Sequence, residues 1–237
     1  MSKILLLVEG EKLDVELLER FYDLYNKSNV ELVSYKTNIY RFHKRLKKDF
    51  SNEFGEIDYD SIDLPLFLND YLRPPEEKRL NDSDFIEKIL VFDFDPQDPL
   101  YSSETLSELI GNFSNSTENG KLYLNYPMVE SFRDMKSLDD DEFINSTVDL
   151  EILKQKKYKD EVNKKSCIKQ IKDIDVEIGS KLMDLHNQKV DMITSIDSED
   201  KYLNLCKIQC EKLEVENLTW IVNTSTLHLL DEYGSLK

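Results

Sequence analysis

The sequence predicts an α/β fold, with a mostly parallel sheet flanked by helices and a helical C-terminal region. Residues 3–8 and 88–93 form two nearly continuous apolar runs, which are typical of strands buried on both faces of a parallel sheet. Strand and helix signals alternate up to about residue 147, as expected when helices cover such a sheet. Beyond that residue the chain contains no proline, and its apolar residues keep helical spacing.

Each element of the first part has its own signal. Residues 14–25 carry apolar side chains at helical spacing, and residues 40–50 form a second amphipathic pattern that is rich in basic residues. Pro65, Pro74 and Pro75 interrupt the chain after it. The predicted order is strand 3–8, helix 14–25, strand 31–35, helix 40–50, strand 88–93, helix 102–111 and strand 122–124.

The C-terminal part, residues 148–237, is expected to be helical. One interpretation is a helical subdomain packed on the sheet, and the other is an arm that docks a protein partner. Within this part, residues 154–165 are strongly charged, and we expect them to form the solvated face of a helix.

The charge balance restricts the class of function. The chain has 237 residues and a net charge of -17, with 40% hydrophobic and 10% aromatic residues, which is enough to bury a core. A generic nucleic-acid-binding protein normally carries a basic face, which this composition does not favour. Either a partner supplies positive surface, or metal ions neutralise the acids, or the substrate is not a nucleic acid.

The cysteines and the apolar runs predict the compartment. Cys167, Cys206 and Cys210 form neither a disulfide framework nor a CxxC metal knuckle. We find no signal-peptide pattern, and the apolar run at residues 4–8 is far too short to span a membrane. The expected location is therefore cytoplasmic, with no membrane partner.

Acidic residues follow both long apolar runs. Glu9 comes directly after the first, and Asp93 and Asp95 close the second. In open α/β sheets the ligand crevice lies outside the carboxyl ends of the strands, so these three carboxylates should meet at one edge. Clustered carboxylates repel one another unless a cation holds them, and Mg²⁺ or Mn²⁺ prefers such oxygen ligands. The alternative is an acidic loop that merely follows a core strand.

Three segments of the chain resemble Toprim domains. Residues 8–14, Val-Glu-Gly-Glu-Lys-Leu-Asp, are similar to the first Toprim motif, and residues 91–95, Val-Phe-Asp-Phe-Asp, are similar to the second. Residues 122–132 are similar to the third strand of small standalone Toprim-like proteins of anti-phage systems. Toprim domains occur in topoisomerases, primases and nucleases of the overcoming-lysogenisation-defect type, and Asp98-Pro99 stands where topoisomerases commonly have a glycine, which argues against a topoisomerase or a primase.

The change of pattern near residue 148 divides the chain into a domain at 1–147 and a helical region at 148–237. The resemblance implies that the first part is the catalytic domain, with an insertion around 36–85 that accounts for the long gap between the first two motifs. It implies Mg²⁺ or Mn²⁺ as the cofactor, with two ions acting on a phosphodiester. The implied catalytic residues are Glu9, Asp93, Asp95 and Lys12, and the implied metal ligands are Glu9, Asp14, Asp93, Asp95 and Glu130. For Lys12, contact with a phosphate and a solvated position in the first helical turn are both open.

The basic helix at 40–50 is the candidate nucleic-acid contact. Its residues Arg41, His43, Lys44 and Arg45 could touch the phosphate backbone, and an exposed face without a ligand is the alternative.

Together these expectations describe a Mg²⁺-dependent nuclease that hydrolyses DNA or RNA, as the effector of an antiviral defence system. Because the chain is acidic and has no ATP-binding loop, we expect a protein partner such as an ATPase subunit. Two alternatives remain open at this stage: a non-catalytic Toprim-like regulatory or interaction subunit that binds metal, and a receiver-like signalling domain.

Overall fold

A five-stranded sheet forms the centre of the computed structural model, which describes residues 3–194 and 200–236. The strand order is β2-β1-β3-β5-β4. Three neighbouring pairs, β1 with β2, β1 with β3 and β3 with β5, are parallel, and only β4 runs antiparallel to its neighbour β5. The strands are β1 (Lys3–Val8), β2 (Val30–Ser34), β3 (Phe85–Asp93), β4 (Ser114–Asn115) and β5 (Gly120–Asn125). The prediction of a mostly parallel α/β sheet is confirmed.

The register aligns the carboxyl ends of the three central strands. Val8 pairs with Val91, and Asp93 pairs with Asn125. Residues 4–8 of the interior strand β1 are buried because strands cover both of its edges and helices cover both of its faces. The residues that follow β1, β3 and β5 therefore leave the sheet side by side.

Helices cover both faces of the sheet. Phe92 in β3 contacts Tyr35 and Phe42 on one face, and Tyr123 in β5 contacts Tyr202 and His228 on the other. In the described residues the helices are α1 (Leu13–Leu24), α2 (Ile39–Phe50), α3 (Leu64–Leu72), α4 (Ser103–Asn112), α5 (Leu150–Lys154), α6 (Tyr158–Lys165), α7 (Val176–Thr194), α8 (Lys201–Glu216) and α9 (Leu227–Tyr233). Short 3-10 turns lie between several of them.

The C-terminal part is helical, as predicted, but it also contributes strands. β6 (Thr147–Asp149) and β7 (Leu218–Trp220) form a two-stranded antiparallel sheet that the sequence patterns did not indicate. Directly after β7, Val222 exchanges two backbone hydrogen bonds with Tyr126, at 2.7 and 2.8 Å. Residues near position 222 therefore lie against the chain that leaves β5, next to the carboxyl edge of the main sheet.

Among the residues that the structure describes, no helix is both long and apolar enough to cross a membrane. All three cysteines are free, and Cys206 and Cys210 are buried in α8.

Candidate functional site: an acidic edge of the sheet

Glu9 directly follows β1, Asp93 is the last residue of β3, and the two meet at the carboxyl edge of the sheet. The backbone N–H of Asp93 donates to Oε2 of Glu9 at 3.1 Å. The backbone N–H of Glu9 in turn donates to the carbonyl oxygen of Val91 at 3.0 Å, which continues the pairing of the strands. The backbone of Asp93 thus holds the Glu9 carboxylate, and the two acids lie at the same edge, as expected from the two strand ends.

Asp14 returns to the same edge from the first turn of α1. A β-carbon built on Gly10 would lie 2.0 Å from Oδ2 of Asp14, so only glycine at position 10 allows this approach. The Asp14 side chain is buried, and its Oδ1 has no hydrogen-bond partner among the described residues. A buried carboxylate oxygen without a donor is costly, and an ion or a ligand at this edge would remove that cost.

Asp95 lies on the loop that leaves β3. Its backbone has φ of 41°, in the left-handed region, and its N–H donates to the carbonyl oxygen of Pro127 at 3.1 Å. The amide of Gln97 donates to Oδ1 of Asp95 at 2.9 Å. The loop is therefore fixed against the chain that follows β5, and Gln97 orients the Asp95 carboxylate.

Asn125, at the end of β5, connects this edge to the C-terminal part. Its Nδ2 donates to Oδ1 of Asp93 at 3.3 Å, and its Oδ1 accepts from the backbone N–H of Ser225 at 3.1 Å. The sequence motifs did not assign a role to either residue. The contact that would identify Ser225 spans 100 residues, and no local pattern reports such a contact.

Glu130 and Lys159 complete the edge. Glu130 is buried in the 3-10 turn Val129–Arg133, and its Oε1 lies 3.0 Å from Nζ of Lys159 in α6. Its Oε2 has no hydrogen-bond partner among the described residues. Most of residues 154–165 are exposed, as predicted for a solvated helix face, but Tyr158 and Val162 are buried and Lys159 also reaches the acids.

A second buried acid, Asp134, holds α6 in place. Asp134 accepts a hydrogen bond from the hydroxyl of Tyr158 at 3.0 Å and lies 2.6 Å from Nζ of Lys165. These contacts fix both ends of the helix that carries Lys159.

Burial and mutual repulsion raise the pKa of the acids at this edge. Burial, followed by the charge of Asp95, raises the pKa of Glu9 to about 8. Burial, followed among the raising effects by the charge of Glu130, raises the pKa of Asp14 to about 6. Burial also raises the pKa values of Asp93 and Asp95, and for Asp93 the charge of Glu9 is the next cause. The edge therefore holds more negative charge than its surroundings compensate.

Acids and lysines line one cavity of about 500 Å³. Glu9, Asp93 and Asp95 contribute carboxylates to its wall. Lys154 of α5, Lys156 of the following turn and Lys159 of α6 contribute ammonium groups to the same wall. A ligand that combines a cation with an anionic group matches this lining in chemical character.

The donor types suit a hard divalent cation, but their arrangement is not a finished metal site. Carboxylates are the ligands that Mg²⁺ and Mn²⁺ prefer, and Asp14 and Glu130 each have a free buried oxygen. Nevertheless, within residues 3–194 and 200–236 no three or more His, Cys, Asp or Glu side chains are positioned to hold one ion. A metal would have to draw these carboxylates together by side-chain rotation.

Lys12, which the resemblance implied, and the basic residues of α2, which the charge pattern suggested, lie outside the cavity lining. Lys12 precedes α1, is exposed, and makes no side-chain contact in the described part of the chain. In α2, His43 lies 3.3 Å from Glu108, and Arg45 pairs with Asp49. Arg41 and Lys44 are exposed on the same helix.

The comparisons with known proteins identify no relative of this chain. The chain matches no family model, no curated protein and no solved structure significantly. The class that the fold and site define is therefore an α/β protein with an acidic edge.

Proposed function

We propose that this protein is a metal-dependent nuclease that hydrolyses phosphodiester bonds of DNA or RNA with Mg²⁺ or Mn²⁺. The observation that carries the proposal is the convergence of five acids at one edge of a parallel sheet, in or beside a cavity that also contains lysines. The five acids are Glu9, Asp14, Asp93, Asp95 and Glu130. The resemblance of residues 8–14 and 91–95 to Toprim motifs supports the same reaction class.

The five acids are also the residues that would hold the metal. A pair of divalent ions, when bound, supplies charge stabilisation for the attacking and leaving oxygens of a phosphodiester. Mg²⁺ typically takes one or two protein carboxylates and completes its shell with water and phosphate, so five acids suffice for two ions.

The remaining residues of the cavity bind and orient. Lys154 and Lys156 present ammonium groups as point charges for a phosphate. Gln97 and Asn125 donate hydrogen bonds to the carboxylates of Asp95 and Asp93 and so keep them at this edge in the metal-free protein. Burial of Asp14 and Glu130 excludes water from the inner side of the edge.

A cleavage assay tests this proposal. Labelled DNA and RNA oligonucleotides are incubated with the protein and Mn²⁺ or Mg²⁺, with and without a chelator. We expect cleavage that the chelator abolishes and that Glu9→Ala and Asp95→Ala each remove. Glu16→Ala is the control, because Glu16 is an exposed acid of α1. Chelator-resistant cleavage, or full activity in both site variants, contradicts the proposal.

A non-catalytic, metal-binding regulatory subunit is the second candidate. The observation in its favour is that no three of these acids are positioned for one ion in the described residues, while Lys159 already contacts Glu130. Metal binding in calorimetry without cleavage of any nucleic acid selects this alternative.

The cellular setting belongs to the same proposal. A net charge of -17 opposes approach to a polyanion, so we propose that a protein partner such as an ATPase subunit assists substrate capture. We place this activity in the cytoplasm, as the effector of an antiviral defence system.

A further inference from the structure

A second cavity, of about 510 Å³, concentrates positive charge in this acidic protein. Its lining includes Arg45 of α2, Arg73 at the end of α3, and Arg79 on the loop that follows. The whole chain has six arginines, so half of them line this one cavity. Arginine differs from lysine in presenting a planar fork of donors that fits phosphate in a bidentate manner.

The loop that carries two of these arginines is fixed to α3. Asn69 donates from Nδ2 to the carbonyl oxygen of Leu80 at 2.7 Å, and its Oδ1 accepts from the N–H of Leu80 at 2.9 Å. The N–H of Arg73 donates to the carbonyl oxygen of Asn69 at 2.9 Å, which ends the helix. Asn69 is itself buried, so the loop is held by a satisfied amide on its inner side.

The guanidinium groups of the loop have free hydrogen-bonding capacity. Arg45 pairs with Asp49, whereas the side chains of Arg73 and Arg79 make no ion pair or hydrogen bond within residues 3–194 and 200–236. Among the described residues that line the cavity, Asp70 is the acidic one. Two arginines without a side-chain partner in the described residues, both lining one cavity, favour an anionic ligand over a cationic or neutral one.

The position of α2 connects this cavity to the acidic edge. At its N-terminal end, Nδ2 of Asn38 donates to Oδ2 of Asp98 at 2.6 Å, on the loop that leaves β3. Arg41, Arg45 and Lys48 follow at helical spacing on one face of α2. At a rise of about 1.5 Å per residue, Arg45 lies about 10 Å along the helix from Asn38. An extended polyanion could therefore pass from the acidic edge along α2 to the cavity.

We propose that the cavity of Arg45, Arg73 and Arg79 binds a backbone phosphate of a nucleic-acid strand whose scissile bond lies at the acidic edge. The choice of a nucleic acid as the polyanion rests on the proposed nuclease function, whereas the phosphate chemistry rests on the arginines. Because the rest of the protein is acidic, the site supplies local attraction where the overall field repels.

Fluorescence anisotropy with a labelled single-stranded oligonucleotide tests the site without any cleavage, because the chelator EDTA is present throughout. We expect micromolar affinity for the full chain, steeply reduced by salt. The double variant Arg73→Gln with Arg79→Gln should weaken binding about tenfold and lower the slope of log affinity against log salt by about 1.4, as two lost phosphate contacts predict for a single strand. Arg73→Lys with Arg79→Lys keeps the charge, and it should retain most of the salt slope but lose part of the affinity.

The control removes the same charge elsewhere. Lys78 lies on the same loop and Lys207 on α8, both exposed, and neither lines the cavity. Lys78→Gln with Lys207→Gln should leave the affinity within twofold of the wild type. Equal loss in control and test variants, or no loss in the glutamine double variant, overturns the site.

Two further arms separate the possible failures. A nucleoside triphosphate that binds through Arg73 and Arg79 more tightly than the oligonucleotide overturns the choice of a nucleic-acid strand. A protein that binds oligonucleotide through these arginines but cleaves none with metal contradicts the nuclease proposal and supports the phosphate site. Cleavage together with unchanged affinity in the double variant overturns the phosphate site alone.

Discussion

The carboxylate of Glu9 is fixed by the backbone of Asp93 rather than by its side chain, through a hydrogen bond of 3.1 Å from the N–H of Asp93 to Oε2 of Glu9. The side chain of Asp93 instead accepts from the amide of Asn125 at 3.3 Å. The two central acids are therefore positioned independently, and each can be changed without removing the hydrogen bond that holds the other.

This independence leads to a prediction for metal binding. Asp93→Asn keeps the N–H that holds Glu9 and removes one carboxylate charge, so the Mn²⁺ affinity should fall at least tenfold while the fold is kept. Isothermal titration calorimetry at pH 8 measures the change, and Asp139→Asn, at an exposed acid, is the control. Wild-type affinity in Asp93→Asn, or no binding by the wild type at millimolar Mn²⁺, contradicts a metal site at this edge.

The raised pKa values predict how stability depends on pH without metal. The pKa of Asp14 is about 6 in the folded protein, against an ordinary value of 3.8, so the folded state binds the proton more tightly than the unfolded state. The contribution of Asp14 is therefore fully present below about pH 4 and is lost as the pH rises through 6. At pH 8 Asp14→Asn should raise the free energy of unfolding by about 1–3 kcal/mol, and at pH 4 by much less.

Urea denaturation of the metal-free protein at pH 4, 6 and 8 checks this difference. Glu9→Gln should also raise the free energy of unfolding as the pH rises. Because the pKa of Glu9 is about 8, this effect should develop over a range that extends to higher pH than for Asp14→Asn. Glu16→Gln, in the exposed part of α1, should show no such pH dependence. A destabilised Asp14→Asn at pH 8 would mean that the Asp14 carboxylate is compensated by a group that the structure does not show.

The strand ends could be predicted from the sequence because their signal is local. The apolar run of β1 identifies a buried strand, and parallel pairing then places Glu9 beside Asp93 without knowledge of any distant contact. Lys159 could not be found in this way, because its partner Glu130 lies in a different element and the charged pattern of α6 resembles that of a solvated helix. Asn125 lies in the segment 122–132 that resembles the third Toprim strand, but its role depends on a hydrogen bond from Ser225, 100 residues away.

A substitution at Gly10 changes the geometry of the site without changing its charge. Gly10→Ala adds a β-carbon 2.0 Å from Oδ2 of Asp14, so the Asp14 side chain must move away from the edge. We expect weaker Mn²⁺ binding and loss of any cleavage, with all five acids still present. Gly111→Ala is the matched control, because its β-carbon would meet nothing within 4 Å and alanine favours the helix. Unchanged metal binding in Gly10→Ala would show that Asp14 is not part of the metal site.

The last prediction concerns Lys159, because added metal ions would compete with its ammonium group for the carboxylate of Glu130. The Nζ of Lys159 lies 3.0 Å from Oε1 of Glu130, whose carboxylate is buried. Lys159→Gln removes this charge, so the metal-free protein should lose on the order of 1 kcal/mol of stability at pH 8. The same change should raise the Mn²⁺ affinity several-fold, since no ammonium then has to be displaced from Glu130.

Lys156→Gln, in the same cavity but without an ion pair in the described residues, should alter neither quantity appreciably. Calorimetry and thermal melting of both variants measure the two effects, and lower stability combined with lower Mn²⁺ affinity in Lys159→Gln would show that Lys159 orders the acids rather than competing for them.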